Sequence, residues 1–191
     1  MRILVIGGTG KVGRPLVTTL LRRGVDVRVL TRSPDPGKAP PEAEQVAGDL
    51  SRPDSLTAAF VGVDRCYLLT PLAEDEAGLG ANAVEAARRA EVERIVLQSV
   101  LRAGEAPEIP HFASKIQILD RIRESGIPWV VVSPSSFYQN DVVLRDLILG
   151  PGIYANPIGS KGVNRVDVRD VADVAATALL EDGNVSRDVP V

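Results

Sequence analysis

Unbroken apolar runs alternate with helix-like segments along most of this chain. Runs of Val, Ile and Leu without alternation are typical of strands that are buried on both faces of a sheet. Strands are predicted at residues 2–6, 25–30, 44–46, 65–69, 94–99 and 129–132. Helices are predicted at residues 14–23, 54–60, 75–90, 111–125 and 170–180.

Strands separated by helices are joined by right-handed crossovers and therefore lie parallel. We predict an α/β fold with a doubly wound parallel sheet of the Rossmann type, in strand order 3-2-1-4-5-6, with helices on both faces. The 191 residues suffice for one domain with a sizeable core, and no internal repeat divides them.

Composition narrows the classes of partner. The net charge is −3 and no Lys/Arg run stands out, which argues against nucleic acid. No apolar stretch approaches the roughly 20 residues that span a bilayer, and no signal peptide precedes the first strand, so no membrane is expected. The single cysteine, Cys66, cannot form an internal disulfide, and a cytoplasmic location is therefore expected.

Three glycines connect the first predicted strand to the first predicted helix. Gly7 permits a tight turn, Gly10 allows a phosphate to approach the backbone, and Gly13 allows the helix to pack close to the sheet. Backbone N–H groups at the helix start then face the anion. The pattern predicts a dinucleotide site, the alternative being a structural turn that binds nothing. The predicted site residues are Gly7, Thr9, Gly10, Lys11, Val12 and Gly13.

The end of the second predicted strand indicates which nicotinamide cofactor fits. NAD sites usually place an acidic residue there to bind the ribose hydroxyls, whereas this chain has Arg32 between Thr31 and Ser33. Arg32 can stack on adenine and pair with a 2′-phosphate in a bidentate way. We therefore predict NADP(H) in preference to NAD(H), the alternative being that Arg32 is a solvated loop charge.

Five segments carry a family resemblance: GGTGKVG at 7–13, TRS at 31–33, GDL at 48–50, IPWVVVSPSSFYQN at 127–140 and VDVRDVADVA at 166–175. With them the chain resembles the NmrA-like group of atypical short-chain dehydrogenases/reductases. That group includes NAD(P)H-dependent quinone and azo-type reductases and cofactor-sensing regulators. The N-terminal motif is shared with many families, while the last two segments are more specific.

The resemblance implies further cofactor contacts, all at the carboxyl ends of strands, where such sheets bind ligands. Adenine would contact Asp49 and Leu50; the ribose and diphosphate would contact Leu69, Thr70 and Pro71; the nicotinamide would contact Ser99, Pro134, Ser135 and Phe137. The alternative for each of these residues is a structural role in its own segment. Asp49 caps a helix, Thr70 and Pro71 end a strand, or Phe137 is a core residue.

The helix before the sixth strand holds the predicted catalytic residues. Ordinary members of the superfamily carry Tyr-x-x-x-Lys there, whereas this chain has His111 and Lys115, four residues apart on one helix face. Lys115 is predicted to bind the nicotinamide ribose. His111, with Ser99, is predicted to orient or protonate an acceptor, the alternative being a partly exposed residue at the helix start.

The function predicted from these residues is an NADPH-dependent oxidoreductase that passes a hydride to a small electrophile such as a quinone. The acceptor is expected over Phe137 and Tyr138. Because the tyrosine is missing, a second function is also considered, that of a non-catalytic NADP(H)-binding, redox-sensing regulator. The missing tyrosine also makes a relative of the sugar-nucleotide epimerases or dehydratases the least favoured alternative.

Residues 1–191 are predicted to form a single NAD(P)-binding domain with a short or truncated C-terminal substrate portion, because the resembling enzymes usually continue past the last helix. Three alternatives follow: the substrate pocket is open, a second subunit or another protein completes it, or the protein has no turnover. No metal is predicted. Asp167, Asp170 and Asp173 resemble a cluster, but Asp170 is predicted to cap the helix and Asp173 to lie in its first turn.

Overall fold

A parallel sheet forms the centre of the computed structural model, which describes residues 1–156, 162–182 and 186–191. Its seven strands are β1 (Arg2–Ile6), β2 (Asp26–Thr31), β3 (Glu44–Ala47), β4 (Arg65–Leu68), β5 (Arg94–Gln98), β6 (Trp129–Ser133) and β9 (Arg187–Pro190). Their order is β3-β2-β1-β4-β5-β6-β9, so the predicted order of the first six strands is confirmed. The short strands β7 (Ser136–Phe137) and β8 (Arg165–Val166) pair with each other in a separate sheet.

Helices cover both faces of the sheet, as predicted. They are α1 (Gly13–Arg22), α2 (Thr57–Phe60), α3 (Glu76–Arg89), α4 (Pro110–Ser125), α5 (Arg145–Leu149) and α6 (Val168–Leu180). Alternate residues of β1 point to opposite faces, so Ile3 and Val5 pack under α1 and α6 while Leu4 and Ile6 pack under α3 and α4. This double burial explains the unbroken apolar run in β1.

Two helix starts differ from their predictions by more than one residue. The helix predicted at residues 54–60 is a 3-10 turn, Pro53–Leu56, followed by the single turn of α2. Helix α6 begins at Val168, and Asp167 is its N-cap, with a carboxylate that accepts from the N–H of Arg169 at 2.8 Å. Asp170 therefore lies in the first turn rather than at the cap. Asp173 lies beyond that turn and accepts from the Thr19 hydroxyl of α1 at 3.1 Å.

Strand β9 was not predicted, and it helps to position the site. It pairs with β6 at the edge of the sheet, where the Ser133 hydroxyl donates to the Asp188 carboxylate at 2.6 Å. The N–H of Ser135 donates to the carbonyl of Val191 at 2.8 Å. The turn that leaves β6 is therefore held from its outer side.

Across the described ranges, no helix combines the length and the apolarity needed to cross a membrane.

Candidate functional site

The glycine turn after β1 has the geometry that its sequence predicts. Gly7 has a φ of +83°, a left-handed conformation that favours glycine. A Cβ atom on Gly13 would lie 2.1 Å from the carbonyl oxygen of Gly7, so α1 packs directly on the turn. Gly10 is exposed, and a Cβ atom there would meet only the Gly7 carbonyl oxygen, at 3.2 Å. Gly13 is thus required for packing, whereas Gly10 leaves the backbone open to a ligand.

The start of α1 suits an anion such as a pyrophosphate. Its N-cap is Val12, and no described side chain caps this end or places an acidic group in the first turn. The N–H of Arg14 donates to the Gly10 carbonyl at 3.0 Å, and Pro15 has no N–H. Within the described ranges, the backbone N–H groups of Val12 and Gly13 have no partner and are therefore available to a bound phosphate. The Val12 side chain is buried in the core, which leaves only its backbone for such a contact. Lys11 is exposed, and its ammonium donates to the Asn140 side chain at 3.3 Å.

A cavity of about 1130 Å³ extends from the glycine turn along the carboxyl ends of β2, β3 and β4. It lies at the edge of the sheet where the sequence predicts the dinucleotide site. The predicted residues that line it are Gly7, Thr9, Gly10, Arg32, Asp49, Leu50, Leu69, Thr70 and Pro71.

Arg32 lies in this cavity as an exposed side chain that makes no ion pair within the described ranges. Asp49, in the same cavity, accepts hydrogen bonds from the N–H and the hydroxyl of Ser51 at 2.9 and 2.8 Å. These bonds, and more weakly the charges of Arg32 and Arg52, hold the pKa of Asp49 below its usual range. Asp49 therefore stabilises its own turn as a carboxylate and does not cap the helix that follows.

A second cavity of about 630 Å³ adjoins the first, and Leu69 lines both. It lies at the carboxyl ends of β5 and β6, beside the start of α4. Tyr138 lines neither cavity; its ring lies under the guanidinium of Arg165, 4.9 Å from the ring centroid. The predicted nicotinamide and catalytic residues that line the second cavity are Ser99, His111, Lys115, Pro134, Ser135 and Phe137.

Arg165 of β8 holds the segment that presents Phe137. Its guanidinium donates to both carboxylate oxygens of Asp141 at 2.7 Å and to the Phe137 carbonyl at 3.1 Å. The hydrogen bonds from Arg165 hold the pKa of Asp141 below its usual range. This bidentate pair fixes the backbone around Phe137 on one side of the second cavity.

Glu76, which sequence reasoning missed, connects the predicted catalytic residues. It is the first residue of α3, and its carboxylate is fully buried. Its Oε1 accepts from the Lys115 ammonium at 2.8 Å and from the Thr70 hydroxyl at 2.6 Å, while Lys115 also donates to that hydroxyl at 2.8 Å. Its Oε2 lies 2.6 Å from Nδ1 of His111. One carboxylate thus joins three site residues, two of them from α4 and one from the loop after β4.

Burial and pairing shift the pKa of the Glu76 carboxyl in opposite directions. Burial by itself raises the pKa of Glu76, but hydrogen bonds from Lys115, Thr70 and His111, together with the charge of Lys115, hold that pKa below its usual range. Burial lowers the pKa of Lys115, and Glu76 only partly opposes that effect. Glu76 is therefore a carboxylate at neutral pH, and its oxygens act only as hydrogen-bond acceptors.

The only sequence signal for Glu76 was an acidic residue at a helix start. Such residues are commonly explained by the helix dipole or by capping. Here the cap is the preceding residue, Asp75, which accepts from the N–H of Gly78 at 3.0 Å. Glu76 instead points into the protein, a direction that the sequence alone does not indicate.

Comparison with known proteins identifies the relatives of this chain. The model of the NmrA-like family matches residues 1–187. NAD(P)H azoreductase of Xenophilus azovorans is 34% identical over 200 residues, covering 99% of this chain and 67% of that protein. (4-Alkanoyl-5-oxo-2,5-dihydrofuran-3-yl)methyl phosphate reductase of Streptomyces griseus is 34% identical over 193 residues, covering 97% and 65%.

A solved structure agrees with these matches. Triphenylmethane reductase of Citrobacter sp., complexed with NADP(H), has a TM-score of 0.85 and 28% identity, covering 98% of this chain and 68% of that one. The chain thus spans about two thirds of the length of the relatives it matches.

Proposed function

This chain belongs to the NmrA-like family, and we propose that it is an NADPH-dependent oxidoreductase that reduces a small electron-poor acceptor such as a quinone. The observation that carries the proposal is the pair of adjoining cavities. One is lined by the glycine turn and Arg32, and the other by Lys115, His111 and Ser99, the residues predicted to act near a nicotinamide. One relative is named an NAD(P)H azoreductase, and the triphenylmethane reductase is solved in complex with NADP(H). Both support reduction with a nicotinamide cofactor as the reaction class.

Each part of the cofactor has residues suited to hold it. The exposed Gly10 lets the pyrophosphate approach the turn, and the N–H groups of Val12 and Gly13 at the start of α1 donate to it. Lys115 has three ammonium protons and donates two of them, to Glu76 and Thr70. The third is available to a hydroxyl of the nicotinamide ribose, because Lys115 also lines the second cavity.

The missing tyrosine fits this reaction class. When bound, NADPH supplies a hydride from C4 of its nicotinamide. An electron-poor acceptor takes that hydride directly and needs only a proton to complete its reduction. Oxidation of an alcohol instead needs a positioned base, which is the role of the tyrosine in ordinary members of the superfamily.

Acceptor-dependent oxidation of NADPH tests the proposal. The absorbance of NADPH is followed with a panel of quinones, azo dyes and triphenylmethane dyes, while binding of NADPH is measured separately by its fluorescence. We expect tight binding and turnover with at least one acceptor class. Tight binding with no turnover across the panel would contradict the proposal and favour a redox-sensing regulator.

The preference for NADP(H) rests on Arg32. We expect Arg32→Gln to weaken NADPH binding about 10- to 100-fold and to leave NADH binding unchanged, because charge-assisted hydrogen bonds to the 2′-phosphate contribute about 1.5–3 kcal/mol. Titration calorimetry with both cofactors measures this. The control is Arg23→Gln, an equal change of charge on an exposed residue beyond the last turn of α1. Equal losses for NADPH and NADH would show that Arg32 does not bind the 2′-phosphate.

A further inference from the structure

We propose that Glu76 is a positioning residue that fixes the tautomer of His111, so that Nε2 of His111 delivers the proton to the acceptor. This inference rests on the proposed function, because it assigns the source of the proton that follows hydride transfer. It adds a residue, Glu76, that contacts neither cavity and acts through the two side chains it holds.

The hydrogen bonds determine which nitrogen of His111 carries a proton. Oε1 of Glu76 accepts from Lys115 and Thr70, and Oε2 lies 2.6 Å from Nδ1 of His111. A carboxylate oxygen only accepts, so Nδ1 must be the donor in this contact. The neutral form of His111 is therefore the Nδ1–H tautomer, and its lone pair is on Nε2.

The other ring nitrogen is the one that can meet a substrate. About a third of the His111 side chain is exposed (33%), and the residue lines the second cavity together with Ser99 and Phe137. Within the described ranges, Nε2 has no hydrogen-bond partner, whereas Nδ1 is held by a fully buried group. The protonated ring accordingly presents an Nε2–H donor to the cavity.

Reduction of the acceptor uses one hydride and one proton. The acceptor gains two electrons with the hydride, and NADPH is oxidised to NADP⁺. The Nε2–H bond of His111 breaks, its electron pair stays on Nε2, and the proton bonds to the acceptor heteroatom that has become electron-rich, such as a quinone oxygen. His111 is left as the Nδ1–H tautomer that Glu76 already binds, and solvent returns the proton to Nε2.

Lys115 and His111 contact different oxygens of Glu76, so pairing with Lys115 alone would not depend on the tautomer of His111. The substitution Glu76→Gln separates the roles. Its amide oxygen must accept from Lys115 and Thr70, which are both donors, so its NH₂ group faces Nδ1 of His111. That NH₂ donates, and neutral His111 must then become the Nε2–H tautomer.

Nitrogen NMR of the imidazole tests this directly, because His111 is the single histidine of the chain. We expect the Nδ1–H tautomer in the ¹⁵N-histidine-labelled protein at a pH where the ring is neutral, and the Nε2–H tautomer in Glu76→Gln. Glu108→Gln is the control, since it removes an exposed carboxylate three residues from His111 and should leave the tautomer unchanged. A wild-type ring in the Nε2–H tautomer would overturn the inference even if Glu76→Gln did not fold.

Kinetics test the consequence for the reaction. With an acceptor that needs a proton, kcat is expected to fall about 100-fold in both Glu76→Gln and His111→Gln, the contribution typical of a positioned general acid. The KM for NADPH should change far less in His111→Gln. An inverted tautomer with an unchanged kcat would refute the proton-donor role. The NMR measurement needs neither cofactor nor acceptor, so failure of the acceptor panel and failure of this inference are distinguishable.

Discussion

Gly13→Ala is expected to lower the free energy of unfolding by about 3 kcal/mol and to abolish measurable NADPH binding. The added Cβ would lie 2.1 Å from the carbonyl oxygen of Gly7 and 2.6 Å from the Cα of Gly8. Both contacts are with backbone atoms, which cannot rotate away as a side chain can. Helix α1 must therefore move off the turn, at the upper end of the cost of overpacking a core. The same movement displaces the N–H groups that are expected to bind the pyrophosphate.

Urea unfolding followed by circular dichroism measures the loss of stability, and NADPH fluorescence measures binding. For a chain of this length, about 3 kcal/mol corresponds to a fall in Tm of roughly 6–12 °C. Gly104→Ala is the matched control, because a Cβ atom there meets nothing within 4 Å. It should change the free energy of unfolding by less than about 0.5 kcal/mol. Similar losses in the two variants would mean that the contact with Gly7 does not constrain α1.

The sheet could be predicted because its strands carry a strong local signal. Residues 3–6 are apolar on both faces of β1, since helices cover each side, and the same holds for most of β4 and β5. Strand β9 has no such run, with two charged residues and a proline among its four. It lies at the edge of the sheet, where its hydrogen bonds to β6 define it. A strand defined by its neighbour rather than by its own residues has little sequence signal.

The candidate site likewise has one part that could be predicted from the sequence and one part that could not. The glycine turn was predictable because its backbone conformation and close contacts select glycine at Gly7 and Gly13. The connection from His111 through Glu76 to Lys115 was not, because Glu76 is 35 residues from His111 in the chain. Helix α3 brings it under α4, and only the packing of those two helices joins them. Hence the sequence indicated Thr70, His111 and Lys115 but not the carboxylate that joins them.

Lys115→Met is expected to lower the free energy of unfolding by about 3–5 kcal/mol at neutral pH, because it leaves the fully buried Glu76 carboxylate without its cation. Replacing both partners, in Lys115→Met with Glu76→Gln, should recover much of that loss. Lys38→Met is the control, since the Lys38–Asp35 pair is exposed and screened by solvent, and its loss should change the unfolding free energy far less. Urea unfolding of the four proteins of the cycle and of the control gives the coupling between Lys115 and Glu76.

The sign of the pH dependence provides an independent check on Lys115→Met. In the wild type the pKa of Glu76 is lowered, so its stabilising contribution is present above the pKa of an unfolded glutamate and is lost as the pH falls through the folded value. Without Lys115, burial acts with less opposition and should raise the pKa of Glu76. The variant then relieves its buried charge by taking up a proton, so the difference in unfolding free energy between wild type and variant should shrink from pH 7 to pH 5. A difference that is constant over this range, with no coupling in the cycle, would mean that Lys115 and Glu76 do not form the buried ion pair on which the site depends.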